Sequence, residues 1–261
     1  MRHALAIARR EIRSYFVSPV AYVAMTVFAL LSGFFFSNML VYYISQAALA
    51  DQQIQKIGRS DYQLDVPTVV LGEFFKNEAM VVLLVLPLLT MGLITDERRK
   101  GTLELLLTSP VRAAELVAGK FLAALSLFGV MLLPTLPYYY FLARGGEWEP
   151  GVVLAGYLGL ILLASTAIAV GLFVSSLCEN VLVSAFGTYG LLVLLFFIDT
   201  STTAVRSLWS DVVGYFSVYV HYLNFARGVL RLGDVVYLGT IVTLGLFLTE
   251  RTIEAIRFKR S

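Results

Sequence analysis

Few side chains in this 261-residue chain could do chemistry, and they are scattered. There are two histidines, His3 and His221, and one cysteine, Cys178. That set supplies a metal site built from His and Cys poorly. A single thiol forms no internal disulfide, so the fold does not depend on oxidation. His221 with Asp211 or Asp234 is the one candidate acid–base cluster. The plainer reading of His221 is an interfacial residue with a satisfied hydrogen bond. The run Ala114-Glu115-Leu116-Val117-Ala118-Gly119-Lys120-Phe121 comes nearest to a phosphate-binding loop. Such a loop needs Gly at its first position and Ser or Thr after the Lys. Ala114 and Phe121 stand there instead, and no strand pattern precedes them.

The segment from Asp96 to Pro110 is of another kind. Asp96 and Glu97 precede Arg98, Arg99 and Lys100, and Gly101 breaks the run. Thr102, Leu103, Glu104, Leu105, Leu106 and Leu107 then predict a short helix with Leu103, Leu106 and Leu107 on one face, ended by Pro110. An apolar ridge framed by charge suits a groove on a partner. The same leucines could equally rest on a lipid surface.

The elements around this segment are apolar. The chain is 58% hydrophobic and 15% charged, against ~45–50% and ~25% for soluble domains. The excess lies in six runs, about 20–44, 78–95, 119–142, 152–175, 181–198 and 235–249. A helix needs ~20 apolar residues to cross a bilayer, so the expected fold is an all-α membrane protein of six spans. The first run is too long for the ~7–15-residue core of a signal peptide and reads as a retained span. A net charge of +2 suggests no nucleic-acid partner. With no internal repeat or linker, residues 1–261 read as one domain.

Six spans put both termini on one side. Arg2, Arg9, Arg10, Arg13, the 98–100 triplet, Arg112, Lys120, Arg251, Arg257, Lys259 and Arg260 share that side, 13 of the 20 Lys plus Arg. The positive-inside rule makes it cytoplasmic. Ahead of the first span, Leu5, Ala8, Ile12, Tyr15 and Phe16 predict one face of a basic amphipathic helix lying in the headgroup layer. A plain extension of the first span is the alternative. Before the last span, Tyr215, Phe216, Tyr219, His221, Tyr222 and Phe225 predict short helices dipping into the outer leaflet, with Tyr215, Tyr219 and Tyr222 on one face. Ala167, Gly171 and Ser175, spaced by four, predict a close helix–helix contact, within one chain or between two. Glu78, Asp199 and Glu250 fall at span ends, leaving almost no charge deep in a span. That pattern speaks against an ion-coupled transporter or a charged-ring channel.

The string Asp96-Glu97-x-x-x-Gly101-Thr102-Leu103-Glu104-Leu105-Leu106-Leu107-Thr108-Ser109-Pro110-Val111 resembles the cytoplasmic segment of ABC-2-type transporter permeases. Met91, Gly119-Lys120 and Gly228-x-x-x-x-Gly233-Asp234-Val235-Val236-Tyr237 fit the same pattern. Within that family the chain looks most like permeases of the gliding-motility (Gld) and copper-enzyme-maturation (Nos) branch. The resemblance implies two membrane subunits, a homodimer or a pair of related chains, in a bacterial cytoplasmic membrane. It implies separate ATPase subunits that bind ATP and Mg, and no cofactor or catalytic residue in this chain. Residues 97–110 would then be the coupling helix, with Glu97, Arg98, Gly101, Thr102, Leu103, Glu104, Leu106, Leu107 and Pro110 seated on the ATPase. Such a permease exports a cargo. The same architecture could instead pass motion to a periplasmic or auxiliary membrane partner without exporting anything.

Overall fold

The computed structural model describes residues 2–57, 66–102, 112–143, 150–198 and 214–258. Every regular element among them is helical: α1 (Arg2–Val17), α2 (Pro19–Ile57), α3 (Val66–Thr90), α4 (Thr95–Arg99), α5 (Ala113–Leu132), a 3-10 turn (Leu133–Thr135), α6 (Leu136–Ala143), α7 (Pro150–Leu177), α8 (Val181–Phe197), α9 (Val218–Ala226) and α10 (Leu232–Phe258). Among the described residues, five stretches are long and apolar enough to cross a membrane: Pro19–Ser45, Val70–Arg99, Ala113–Tyr140, Pro150–Leu177 and Leu232–Arg257. The fifth expected span, α8, has 17 residues. At ~1.5 Å per residue it reaches ~26 Å, slightly short of the ~30 Å hydrocarbon core.

Several boundaries move. The second crossing was expected to begin at residue 78, but its helix begins at Val66. Glu73, Lys76, Asn77 and Glu78 interrupt the apolar run without interrupting the helix. The third is broken near its end, where Pro134 and Pro137 lack the N–H groups a continuous helix needs and a 3-10 turn intervenes. In α3, Pro87 lies inside the helix, and the Tyr189 hydroxyl of α8 donates to the Leu84 carbonyl one turn earlier.

Helix α7 is the axle of the bundle. Of its most apolar window 78% is buried, against 28% for α2 and 22% for α10. Lipid tails are as apolar as side chains, so hydrophobicity alone does not drive helices together there. Close backbone approach does, and α7 supplies it with glycine. A Cβ on Gly156 would stand 2.1 Å from the Phe75 ring, one on Gly159 2.4 Å from Phe225, and one on Gly171 2.1 Å from Thr90 Oγ1. Ala167 is buried on the same helix and Ser175 reaches Thr95. The Gly171 and Ser175 contacts of the small-residue stripe are therefore made within one chain. Outward, α2 exposes Leu30, Phe34 and Val41, α8 exposes Phe186 and Leu194, and α10 exposes Val236 and Leu244.

The amphipathic α1 is a helix apart from α2, divided from it at Ser18. One of its faces packs on the bundle. Ala4, Ile7 and Ala8 are buried, and Ile7 and Ala4 press on Gly119 of α5, where a Cβ would stand 2.8 Å from Ile7. Leu5 and Phe16, expected on the side toward the headgroup layer, are exposed.

The glycine notch gives a direct test. Gly171→Leu forces its side chain into Thr90 and should destabilise the fold by about 1–3 kcal/mol or more, read as a lower unfolding temperature in detergent. Gly190→Leu, at a glycine with open space around it, should leave that temperature unchanged.

Candidate functional site

The segment singled out in the sequence enters through α4, a single turn that cannot hold itself in place. Its N-cap residue Ile94 offers no side-chain acceptor, yet first-turn amides need one. Ser175 of α7 provides it. Its Oγ accepts from the amides of Ile94 and Thr95, each at 3.1 Å, and donates to the Met91 carbonyl at 3.1 Å. Thr95 Oγ1 donates to the Ser175 carbonyl at 2.9 Å. Both residues are fully buried, where an unpaired polar group is costly.

A second anchor is ionic. The Lys120 side chain, 2% exposed, places Nζ 2.9 Å from Glu97 and 3.4 Å from Glu11. Arg10 closes the network at 3.1 Å from Glu11 and 3.4 Å from Glu97. Two cations and two carboxylates thus join α1, α4 and α5. Tyr15 packs beside them, and burial, reinforced by Glu11 and Glu97, pushes its phenol well above the usual range. It therefore contributes no charge. Arg98 pairs with Glu179 at 2.7 Å, an exposed contact of ~0–1 kcal/mol.

Beyond α4 the chain turns at Gly101, whose φ of +70° is the left-handed conformation that glycine adopts without strain. The Thr102 hydroxyl donates back to the Glu97 carbonyl at 3.3 Å. Leu103, Glu104, Leu106, Leu107 and Pro110 lie outside the described residues. The structure thus brings Glu97, Arg98, Gly101 and Thr102 together at one end of the bundle.

The stretch 114–121 does not fit a nucleotide. It is part of α5, with Gly119 closed by Ile7 and Lys120 engaged by Glu97 and Glu11. Lys120 was counted in the sequence as a basic residue, as part of an unmatched phosphate loop and, with Gly119, as a fit to the permease pattern, but not as an ionic anchor. Its pairing partners lie 23 and 109 positions away, so no local spacing announces them.

At the other end of the bundle, the aromatic residues divide. Tyr215 precedes α9, whose N-terminus is capped by Ser217, so it does not share a helical face with Tyr219 and Tyr222. Tyr215 is exposed, but Tyr222 and Phe225 are fully buried. The Tyr222 hydroxyl donates to the Phe75 carbonyl at 2.7 Å, and Phe225 fills the Gly159 notch. These two are core residues, not an interfacial belt. Tyr219 lies partly buried against Phe196, ring centres 4.7 Å apart.

His221 is fastened on both sides. Nδ1 lies 2.6 Å from Asp234 Oδ1 and Nε2 lies 2.9 Å from the Tyr215 carbonyl. Asn224 donates to the second Asp234 oxygen at 2.8 Å, and Tyr237 stacks on the ring at 4.0 Å. Both ring nitrogens are occupied, which makes the cluster a staple between α9 and α10 rather than a proton-transfer site. Asp211 lies outside the described residues. Gly228, at φ +79°, ends α9, and Val229 N–H returns to the Asn224 carbonyl at 2.8 Å. The Gly228–Tyr237 motif thus builds this corner.

One residue contradicts the sequence reading outright. Glu78 is not at a span end; it is fully buried within α3. Ser32 of α2 donates to its Oε2 at 3.0 Å, and Oε1 has no partner among the described residues. The argument against ion coupling from an absence of buried charge therefore does not hold. The apolar Val69-Val70-Leu71 upstream was the signal that the helix starts earlier.

The ionic junction can be tested by removing its cation. Lys120→Met leaves Glu11 and Glu97 with only the exposed Arg10 between them and should cost about 3–5 kcal/mol, read as loss of thermal stability in detergent. Glu97→Gln added to Lys120→Met should recover part of it; an unchanged unfolding temperature in the single variant would refute a buried pair.

A family model described as ABC-2 family transporter protein matches residues 5–231. No curated protein matches the chain. The match takes in α1, α4, the bundle from α2 to α9 and the Gly228 corner, and it agrees with a set of long apolar helices. The chain belongs to the ABC-2 transporter family and is a multi-pass membrane permease of an ATP-binding-cassette transporter.

Proposed function

We propose that this permease works with separate ATPase subunits and receives their motion through residues 97–110. The observation that carries the reading is the double anchoring of α4, to α7 through Ser175 and to α1 and α5 through Lys120. A surface loop that only rested on lipid would need neither. An element that transmits force needs both, because a push on an unfastened turn is lost in local bending. The leucine ridge at Leu103, Leu106 and Leu107 is the surface that docks on the ATPase. ATP and Mg are bound there, not in this chain.

In this reading α8 completes a six-span layout, and the end of the bundle that gathers α1, α4, Lys120 and the start of α8 is cytoplasmic. Both termini then face the cytoplasm of a bacterial inner membrane, as the basic residues suggest. Two such chains pair, as a homodimer or with a related permease. The exposed apolar faces of α2, α8 and α10 supply surface for that contact and for lipid. In this reading the chain falls, within the family, in the Gld and Nos branch, on the resemblance of its 96–111 string.

One observation favours the alternative, in which the subunit passes motion to an envelope or motility partner without cargo. The cavity between α3, α7 and α8 is about 10 Å³ and lined by Ala79, Leu163 and Leu192 among other apolar groups. That space is too small to hold a cargo, so in the export reading the cargo passes elsewhere, between chains or along the lipid face. ATPase stimulation by a small amphiphile favours export, and stimulation by a partner protein alone favours force transmission.

The coupling assignment predicts that Leu106→Asp combined with Leu107→Asp inserts normally, loses the co-purifying ATPase and loses turnover. Normal co-purification and turnover in that variant would exclude residues 97–110 as the docking element.

A further inference from the structure

An open cleft of about 840 Å³ lies between α1, the first turn of α2, the end of α3, α4 and the start of α8. Its volume is that of a small-molecule site, ~300–1,000 Å³, and its lining is divided by polarity. One wall is apolar and exposed, with Val17, Val20 and Leu88. The floor is the Arg10–Glu11–Glu97–Lys120 network, which balances its own charge. Of the other charged residues in the lining, Asp96 lies with its carboxylate against Gly92 at the α3–α4 turn. Arg13 and Lys100 have no ion-pair partner among the described residues. The hydroxyls of Ser14, Ser18 and Thr102 line the same space.

We infer that this cleft binds an anionic phospholipid from the leaflet in which α1 lies. The phosphate sits between Arg13 and Lys100, and an acyl chain runs along Val20 and Leu88. Two cations without an ion-pair partner among the described residues select an anionic headgroup, because a zwitterionic one brings its own cation into a cleft already supplied with them. The apolar wall selects a lipid over a free phosphate. A lipid held there bridges α1 and α4, the two elements already tied by Lys120. Binding stands without the coupling reading; an effect of the lipid on ATP turnover rests on it.

The experiment uses the full chain in nanodiscs of phosphatidylcholine and phosphatidylglycerol in equal parts, released into the gas phase for native mass spectrometry. The wild type should retain phosphatidylglycerol in preference to phosphatidylcholine. Arg13→Gln with Lys100→Gln should lower that preference roughly tenfold or more, in line with the contribution of two cations near an anionic surface. Its unfolding temperature should not change. Arg251→Gln with Arg257→Gln, an equal loss of charge on α10, should leave the preference intact. Equal retention of the two lipids by the wild type, a preference that survives the Arg13/Lys100 change, or equal loss in the α10 control would overturn the inference. So would displacement of phosphatidylglycerol by millimolar glycerol phosphate, which would make the cleft a site for a soluble phosphate. Failure of this binding leaves the coupling assignment untouched, since the ATPase co-purification of the Leu106/Leu107 variant reads that separately.

Discussion

Polar groups inside an apolar bundle must find their partners within the protein, because hydrocarbon offers none. That constraint explains where this chain is strong. Ser175 lends its hydroxyl to the naked N-terminus of α4. Lys120 meets two carboxylates from helices far away in sequence. His221 uses both ring nitrogens. Each of these polar residues joins two or more elements, so a requirement for satisfaction becomes a map of the rigid connections. Glu78 is an incomplete case, with one oxygen held by Ser32 and the other without a partner among the described residues; one oxygen of Glu97 and the hydroxyls of Tyr15, Tyr139 and Ser184 are buried likewise.

The apolar contacts complement this map. Helix α7 packs its glycines against Phe75, Phe225 and Thr90, and such contacts have little room to slide. Its C-terminal end holds α4 and its N-terminal end receives the α9 corner, where Gly228 abuts Val152. In the proposed coupling, a displacement of α4 would reach the far end of the bundle along one helix. The ionic network ties the same turn to α1 and α5. Permeases of this family need a path of this kind when the energy source is another polypeptide.

Much of the architecture was legible because apolar runs of span length are hard to mistake, and the small-residue spacing at Ala167, Gly171 and Ser175 pointed to a close contact. What escaped was burial of groups whose environment is set by distant partners. Tyr222 and Phe225 have the composition of an interfacial belt, and only the Gly159 notch on another helix makes Phe225 core. Glu78 was placed at an end because polar neighbours masked the start of α3. On α1 the periodicity pointed to a face toward the headgroup layer and did not announce the packing of Ala4 and Ile7 on Gly119. Lys120 looked like a failed phosphate ligand until Glu97 and Glu11 were beside it.

The central claim is that α4 and α7 move as one body. With Cys178 replaced by Ser, spin labels at Lys100→Cys and at Leu154→Cys, an exposed position near the far end of α7, report their separation in the assembled complex by pulsed electron resonance. A narrow distance distribution that stays fixed between nucleotide-free and ATP-bound states, and broadens when Ser175 is changed to Val, is the result this account predicts. A separation that shifts by several ångströms on ATP binding while Ser175 is intact would contradict it.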